Sequence, residues 1–170
     1  MIRYELSKGA KILFIGINPH PGSFKRGVPF SNNKTFWYLL NSAGLIEEDA
    51  SILKDDRILK KVYSSKFAKK YGFNLLNIIN RPSINVSYLR KDEENKGRKL
   101  IFSSIKKYRP NIVCFIGKIT FQKFAGVKQV RFGWQKSIYE SKVFVMHFPI
   151  RGKAEIRIKE LKKMAKIARF

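Results

Sequence analysis

The chain has 170 residues, of which 36 are lysine or arginine and 12 are aspartate or glutamate, so its formal net charge is +24. The positive electrostatic field of such a chain attracts polyanions, which bind through phosphate contacts and release counterions. The charge therefore favours nucleic acid as the partner. Heat adaptation, another source of lysine, normally raises glutamate as well. One cysteine and two histidines exclude an intramolecular disulfide, a four-cysteine iron–sulfur cluster and a zinc site.

The length predicts one domain that spans residues 1–170. No apolar stretch approaches the roughly 20 residues of a membrane span, and the first residues lack the apolar core of a signal peptide. We therefore expect no membrane partner. We expect a protein of the cytoplasm, at the nucleoid, if the source is a prokaryote, and a nuclear protein if it is a eukaryote.

The first predicted strand is the apolar run 12–15, which is typical of a strand buried on both faces. Pro19 follows it, cannot donate to a sheet ladder and turns Asn18 away from helical geometry. Residues 20–22 are predicted to be irregular. A helix is expected to start near Asn33, which can cap it, and to carry Phe36 and Trp37.

Further strands are predicted at 73–79, 111–116, 137–140 and 142–148, the third as an edge strand hairpinned onto the fourth. Further helices are predicted at 51–70, 88–107, 120–124 and 154–168, with irregular structure at 130–135. This alternation predicts a three-layer α/β/α sandwich with a mainly parallel sheet of about four strands. No G-x-G-x-x-G follows the first strand and no Walker A motif occurs, which argues against both kinds of nucleotide-binding loop.

Three segments resemble one family in their order and spacing: GINP at 16–19, PFS at 29–31 before a helix with FW, and LNIINRPS at 76–83. They are similar to the mismatch-specific uracil/thymine-DNA glycosylases of the uracil-DNA glycosylase superfamily. The resemblance implies the same three-layer fold and a monomeric, cofactor-free enzyme. Such an enzyme flips a damaged or mispaired base, most simply uracil opposite guanine, out of double-stranded DNA and hydrolyses its N-glycosidic bond.

The resemblance also implies roles for residues in these segments. The amide of Asn18 holds the attacking water, Phe30 stacks on the extruded base, Ile17 contacts the base, and Asn77 reads the pyrimidine edge. The chemistry suits Asn77, because an amide can donate to O4 of uracil and accept from N3–H. The alternatives are an Asx-turn for Asn18, a core position for Phe30 and a structural hydrogen bond for Asn77. Asn74 and Asn80 are the competing base readers.

The loop after the last strand departs from the family pattern. The chain has His147, Phe148, Pro149 and Ile150 where relatives have an Asn-Pro-Ser, Met-Pro-Ser or His-Pro-Ser type loop. His147 is one position from the histidine that polarises uracil O2 in some relatives, so it is a catalytic candidate, with a buried and hydrogen-bonded histidine as the alternative. Ile150 or Arg151 is the expected wedge into the duplex.

The DNA-contacting residues are predicted at strand ends and at the start of the last helix. They are Lys25, Arg26, Arg81, Lys118, Ile150, Arg151, Gly152, Lys153 and Arg157. No lysine follows Asn18 closely enough to suggest Schiff-base chemistry. Two other functions stay open: removal of hypoxanthine or another deaminated purine, and a non-catalytic nucleic-acid-binding module. Membrane-surface binding by the last helix is disfavoured, because its apolar stripe is rich in alanine.

Overall fold

The computed structural model describes residues 1–168 and arranges five strands of that range in one sheet of spatial order β2-β1-β3-β5-β4. The strands are β1 Ile12–Gly16, β2 Phe73–Asn77, β3 Ile112–Ile116, β4 Gly133–Ile138 and β5 Ser141–Met146. The first three neighbouring pairs are parallel, and β4 pairs with β5 antiparallel. The predicted mainly parallel sheet is confirmed, with one strand more than the expected four or so.

Helices cover both faces of this sheet. They are α1 Pro21–Arg26, α2 Thr35–Ser42, α3 Ala50–Leu53, α4 Asp56–Val62, α5 Glu94–Tyr108, α6 Lys118–Ala125 and α7 Ala154–Ile167. Alternate residues of β1 point to opposite cores: Phe14 packs with α2 and α7, and Ile15 packs with α5 and α6. This arrangement explains why the central strands are apolar throughout instead of alternating with polar residues. Within residues 1–168 no helix is both long and apolar enough to cross a membrane.

Two predicted elements have different bounds because aspartates and a histidine start new helices. The region 51–70 is not one helix: Asp49 caps α3, and Asp55 caps α4 by accepting hydrogen bonds from the backbone N–H groups of Arg57 and Ile58. A π-helical turn over Tyr63–Phe67 follows. The prediction that 20–22 is irregular was also wrong, since the His20 side chain accepts from Gly22 N and caps α1.

The hairpin that ends the sheet was predicted, but its first strand starts earlier than expected. Gly133, Trp134 and Gln135 belong to β4, whereas the sequence predicted irregular structure there. The residues of this edge strand are exposed or only half buried, so its apolar signal is weak. Trp134 packs edge-on against Phe144 of β5, with 4.9 Å between ring centroids.

Helix α5 begins six residues later than predicted and crosses close to the end of β2. A β-carbon on Gly97 would lie 1.6 Å from the carbonyl oxygen of Ile78, so only glycine permits this approach. The preceding residues form a loop with a short 3-10 turn over Val86–Tyr88. This loop stays at the carboxyl ends of the parallel strands, where residues 83–86 line the cavity described next.

Candidate active site

A cavity of about 640 Å³ opens at the carboxyl edge of the parallel strands, the edge at which open α/β sheets bind ligands. Loops after β1, β2, β3 and β5 line it. Seven of the residues predicted from the sequence lie in its wall: Ile17, Asn18, Phe30, Asn77, Lys118, Ile150 and Arg151. The other predicted residues, which are His147, Lys25, Arg26, Arg81, Gly152, Lys153 and Arg157, are not part of its lining.

Asn18 follows β1 and is oriented by the loop after β2. Its Nδ2 donates to Ser83 Oγ at 2.7 Å and to the carbonyl oxygen of Arg81 at 3.2 Å. The Ser83 hydroxyl donates in turn to the carbonyl oxygen of Asn85 at 3.0 Å, so it must accept from Asn18. Both hydrogens of the amide are therefore engaged, and Oδ1 is the atom that remains to accept a hydrogen bond from a water molecule in the cavity.

Phe30 has a left-handed backbone, with φ of 54°. This conformation costs a bulky residue roughly 1–2 kcal/mol, so the surrounding loop must hold it in place. The ring packs against Phe36 with 4.7 Å between centroids and also lines the cavity. One side of the ring thus belongs to the core while the other is available to stack on a planar ligand.

The loop that carries Phe30 is held by two buried side chains from elsewhere. Ser23 Oγ accepts hydrogen bonds from the backbone N–H groups of Ser31 and Asn32, at 3.1 and 2.9 Å. Trp37 Nε1 donates to the carbonyl oxygen of Pro29 at 2.9 Å. These contacts on both sides of Phe30 explain how the strained conformation is maintained.

Asn77 ends β2 directly opposite Gly16 of β1. Its Oδ1 lies 2.3 Å from the position that a β-carbon on Gly16 would occupy, and Phe30 Cζ lies 3.3 Å from the same position. Glycine is therefore required at 16, because any side chain would displace both groups. Asn77 is 5% exposed, and its Nδ2 donates to the hydroxyl of Tyr4 at 2.7 Å.

The two competing asparagines do not line the cavity. Asn74 is buried and bound to both backbone groups of Ser7, accepting from its N–H and donating to its carbonyl oxygen, each at 2.9 Å. Asn80 is exposed in the turn after β2. Of the three candidates, the structure brings only Asn77 next to Phe30.

His147 is not part of the cavity lining, so its predicted catalytic role gains no support from the geometry and stays a prediction. Its backbone N–H and its Nδ1 both contact Oε1 of Glu160, at 3.1 and 2.9 Å. Its ring stacks on Phe132 with 3.5 Å between centroids. The next residue, Phe148, lines the cavity instead and is 41% exposed. The position at which some relatives have the histidine is therefore occupied by the aromatic ring of Phe148.

Arg157 is a correction to the prediction, because it is 4% exposed and not placed to meet a phosphate. Its Nε donates to the carbonyl oxygen of Phe148 at 2.8 Å and its Nη1 to that of Lys153 at 2.9 Å. A β-carbon on Gly152 would lie 3.0 Å from Nη1, so the guanidinium packs directly beneath this glycine. Arg157 thus fastens the loop after β5 to α7.

The remaining predicted cations divide into paired and exposed groups. Arg81 donates to both carboxylate oxygens of Glu93 at 2.6 and 2.8 Å, which lowers the pKa of Glu93 to about 2. Arg26 contacts Asp56 at 3.2 Å. Lys118 lies at the first position of α6 with its Nζ 4.4 Å from the ring centroid of Phe132. Lys25, Arg151 and Lys153 are exposed.

Sequence reasoning missed several residues of this site. Ser83 had a weak signal, since it follows Pro82 in a predicted turn. His20 directly follows the GINP motif and lines the cavity. Tyr4 had none, because its partner is 73 positions away in the chain. Within the described residues no group of three or more histidine, cysteine, aspartate or glutamate side chains is placed to hold a metal ion.

Two comparisons with known proteins agree with the geometry. Residues 4–157 match the family model described as the uracil DNA glycosylase superfamily. A curated relative, the G/U mismatch-specific uracil DNA glycosylase of Schizosaccharomyces pombe, is 27% identical over 143 residues. That match covers 78% of this chain and 42% of the yeast protein, so the chain spans less than half the length of this relative.

Proposed function

This chain belongs to the uracil DNA glycosylase superfamily, as its motifs predicted, and we propose that it is a monofunctional DNA glycosylase of base-excision repair. It flips a deaminated base out of double-stranded DNA and hydrolyses the N-glycosidic bond to leave an abasic site. Its preferred substrate is uracil opposite guanine. The observation that carries the proposal is the orientation of Asn18, whose two amide hydrogens are bound to Ser83 and Arg81.

The base is held by stacking and by one amide. It stacks on the cavity side of Phe30, an interaction worth roughly 1–3 kcal/mol per base. Its edge then lies at Asn77, whose Oδ1 is next to the ring of Phe30 over Gly16. The N3–H of uracil donates to this oxygen, whereas cytosine has an acceptor at the same position. Ile17 lines the same cavity and contacts the base.

Hydrolysis depends on positioning more than on proton removal. The Oδ1 of Asn18 accepts a hydrogen bond from the attacking water and directs the water oxygen at C1′ of the flipped nucleotide. A neutral amide is a poor base, so the reaction relies on departure of uracil as an anion that the site stabilises. None of these steps requires a metal ion or an organic cofactor.

Electrostatic attraction makes the main contribution to duplex binding. The charge of +24 attracts the phosphate backbone, and the exposed Lys25, Arg151 and Lys153 are the simplest contacts, with Lys118 at the cavity rim. Ile150 is 49% exposed at the cavity mouth. This exposed position supports a role for Ile150 as the wedge that fills the stack where the base has left. We propose that the protein acts as a monomer.

Hypoxanthine is the second candidate substrate because its N1–H can donate to the same Asn77 oxygen. Thymine offers the edge of uracil with an added methyl group. The proposal is tested by incubating the protein with duplexes that contain uracil, thymine or hypoxanthine opposite each of the four bases, followed by alkali to break abasic strands. An Asn18→Ala protein prepared in the same way controls for contaminating glycosylases.

We expect alkali-sensitive breaks at uracil, most of all opposite guanine, and none in the Asn18→Ala control. Breaks only at hypoxanthine would make the purine lesion the substrate. Lesion-independent binding with no breaks at any base would contradict the glycosylase proposal and favour a binding module.

A further inference from the structure

The loop between β2 and α5 carries both acceptors of the Asn18 amide. The carbonyl oxygen of Arg81 and the hydroxyl of Ser83 accept from its Nδ2 at 3.2 and 2.7 Å. A carbonyl oxygen can only accept, so it determines which end of the amide is left for the cavity. The direction of Asn18 Oδ1 therefore depends on where this loop holds the Arg81 carbonyl.

This loop has little packing of its own. None of residues 81–92 is buried, and Ile84 and Tyr88 are 72% and 64% exposed. A segment with few buried apolar contacts opens locally at a low cost in free energy unless other interactions hold it. Polar contacts must therefore supply much of the order that the Asn18 amide needs.

One ion pair closes the loop from end to end. The Nε and Nη2 atoms of Arg81 donate to the two carboxylate oxygens of Glu93 at 2.6 and 2.8 Å. Nη2 also donates to the carbonyl oxygen of Tyr88 at 2.9 Å, and Oε2 of Glu93 accepts from the backbone N–H of Arg90 at 2.9 Å. Because a bidentate pair fixes direction as well as distance, it ties the first residue of the loop firmly to the start of α5.

We propose that Glu93 is a positioning residue for hydrolysis: by binding the Arg81 guanidinium it holds the Arg81 carbonyl oxygen, and through it the Asn18 amide, in the orientation that directs water at C1′. The inference rests on the proposed function and deepens it, because it assigns this orientation to a carboxylate outside the cavity lining. A displacement of 1 Å at a reacting group can cost about 10²-fold in rate, so a remote contact can control the chemical step.

The first test separates the chemical step from binding. Glu93→Gln keeps the shape of the side chain but replaces one acceptor oxygen by an N–H donor. Single-turnover excision of uracil opposite guanine is measured over a range of protein concentrations, which gives the maximal rate and the concentration at half-maximal rate. We expect the maximal rate to fall about 10-fold, less than a full 1 Å displacement would cost.

Glu94→Gln is the matched control. Glu94 is the adjacent residue at the start of α5, and its carboxylate faces Lys123 of α6 at 3.9 Å instead of Arg81. Both substitutions remove one negative charge from the same helix terminus, so they change the helix dipole and the attraction to DNA alike. The two variants should share one half-maximal concentration, and only Glu93→Gln should lose rate. An equal loss of rate in both would overturn the proposal.

The orientation of the amide can also be followed without turnover, through exchange of the Asn18 Nδ2 hydrogens with water in NMR spectra. Asn74 is the internal reference, because its Nδ2 donates to the carbonyl oxygen of Ser7 at 2.9 Å, away from the loop. Glu93→Gln should speed exchange at Asn18 several-fold and leave Asn74 unchanged. Exchange at Asn18 equal to that of the parent would overturn the role of Glu93.

A double-mutant cycle shows whether Glu93 acts through Asn18. In the Asn18→Ala background, Glu93→Gln should have no further effect on the residual excision rate, and an additive loss would overturn the inference. A parent protein that excises no uracil would contradict the proposed function, and the amide exchange would then decide the role of Glu93. If the parent and Glu93→Gln excise uracil at the same maximal rate, only the role of Glu93 fails.

Discussion

The cavity has two walls that differ in composition and in how they are held. The polar wall carries the amides of Asn18 and Asn77 beside the ring of Phe30, and the apolar wall consists of Phe132, Phe148 and Ile150. Asn77 is 5% exposed, whereas Phe148 and Ile150 are 41% and 49% exposed. The residues of the polar wall are buried or half buried, whereas those of the apolar wall reach into solvent.

The polar wall is held by contacts that span the chain: Asn18 by Ser83, and Asn77 by Tyr4. At Asn18 the carbonyl oxygen of Arg81, which can only accept, selects one orientation of the amide. Such a fixed orientation is what a site needs when it must orient water before the reaction. The apolar wall presents rings and an aliphatic chain that can adapt to an unstacked duplex. We infer that chemistry and duplex contact are divided between the walls.

The largest effect is expected from the polar wall. Asn18→Ala should lower the rate of uracil excision by about 10²–10³-fold, because one well-placed group at the transition state is lost. The Kd for undamaged duplex should stay unchanged. Single-turnover cleavage and anisotropy titration check the two parts. Cleavage near the parent rate would remove Asn18 from the mechanism and with it the division between the walls.

Phe30→Ala should weaken the preference for a uracil-containing duplex by roughly 1–3 kcal/mol, the value of base stacking. The salt dependence of binding should not change, since phosphate contacts are untouched. Phe30→Gly is the matched control for the left-handed backbone at this position: it should lose the same preference but be more stable than the alanine variant by about 1 kcal/mol. An intact preference in both variants would contradict stacking.

Arg157→Met tests how the apolar wall is held. The variant keeps most of the volume but leaves the carbonyl oxygen of Phe148 without its side-chain donor and removes one of the two donors to that of Lys153. This change should cost about 1–3 kcal/mol in the free energy of unfolding. Urea denaturation measures it. The exposed Arg151→Met is the control and should unfold like the parent. Equal stability of the two variants would mean that Arg157 does not fasten this loop.

The smallest effect is expected for Lys118 at the cavity rim. If it contacts one phosphate, Lys118→Ala should reduce the slope of log K against log salt by about 0.9. Lys107→Ala is the control, because Lys107 precedes β3 at the opposite edge of the sheet. A slope equal to that of the parent would indicate that Lys118 serves only its contact with Phe132.

Several features of the site were predictable because their signals are local. The apolar run before Asn18 predicts a buried parallel strand, and the following proline predicts that this amide lies at the strand's end. The net charge of +24 is a property of composition alone. The order of strands and helices likewise follows from periodicity along the chain.

Tertiary structure decided the features that depend on partners distant in sequence. Asn74 and Asn77 look alike in one strand, and only the positions of Ser7 and Tyr4 separate a structural amide from one that lines the cavity. The sequence predicted Arg157 as a DNA contact at the start of the last helix, yet its guanidinium donates to two backbone carbonyl oxygens and is buried. A pattern along the chain records burial and turn preference, whereas the direction of a single polar side chain depends on which hydrogen-bonding partner the fold brings to it.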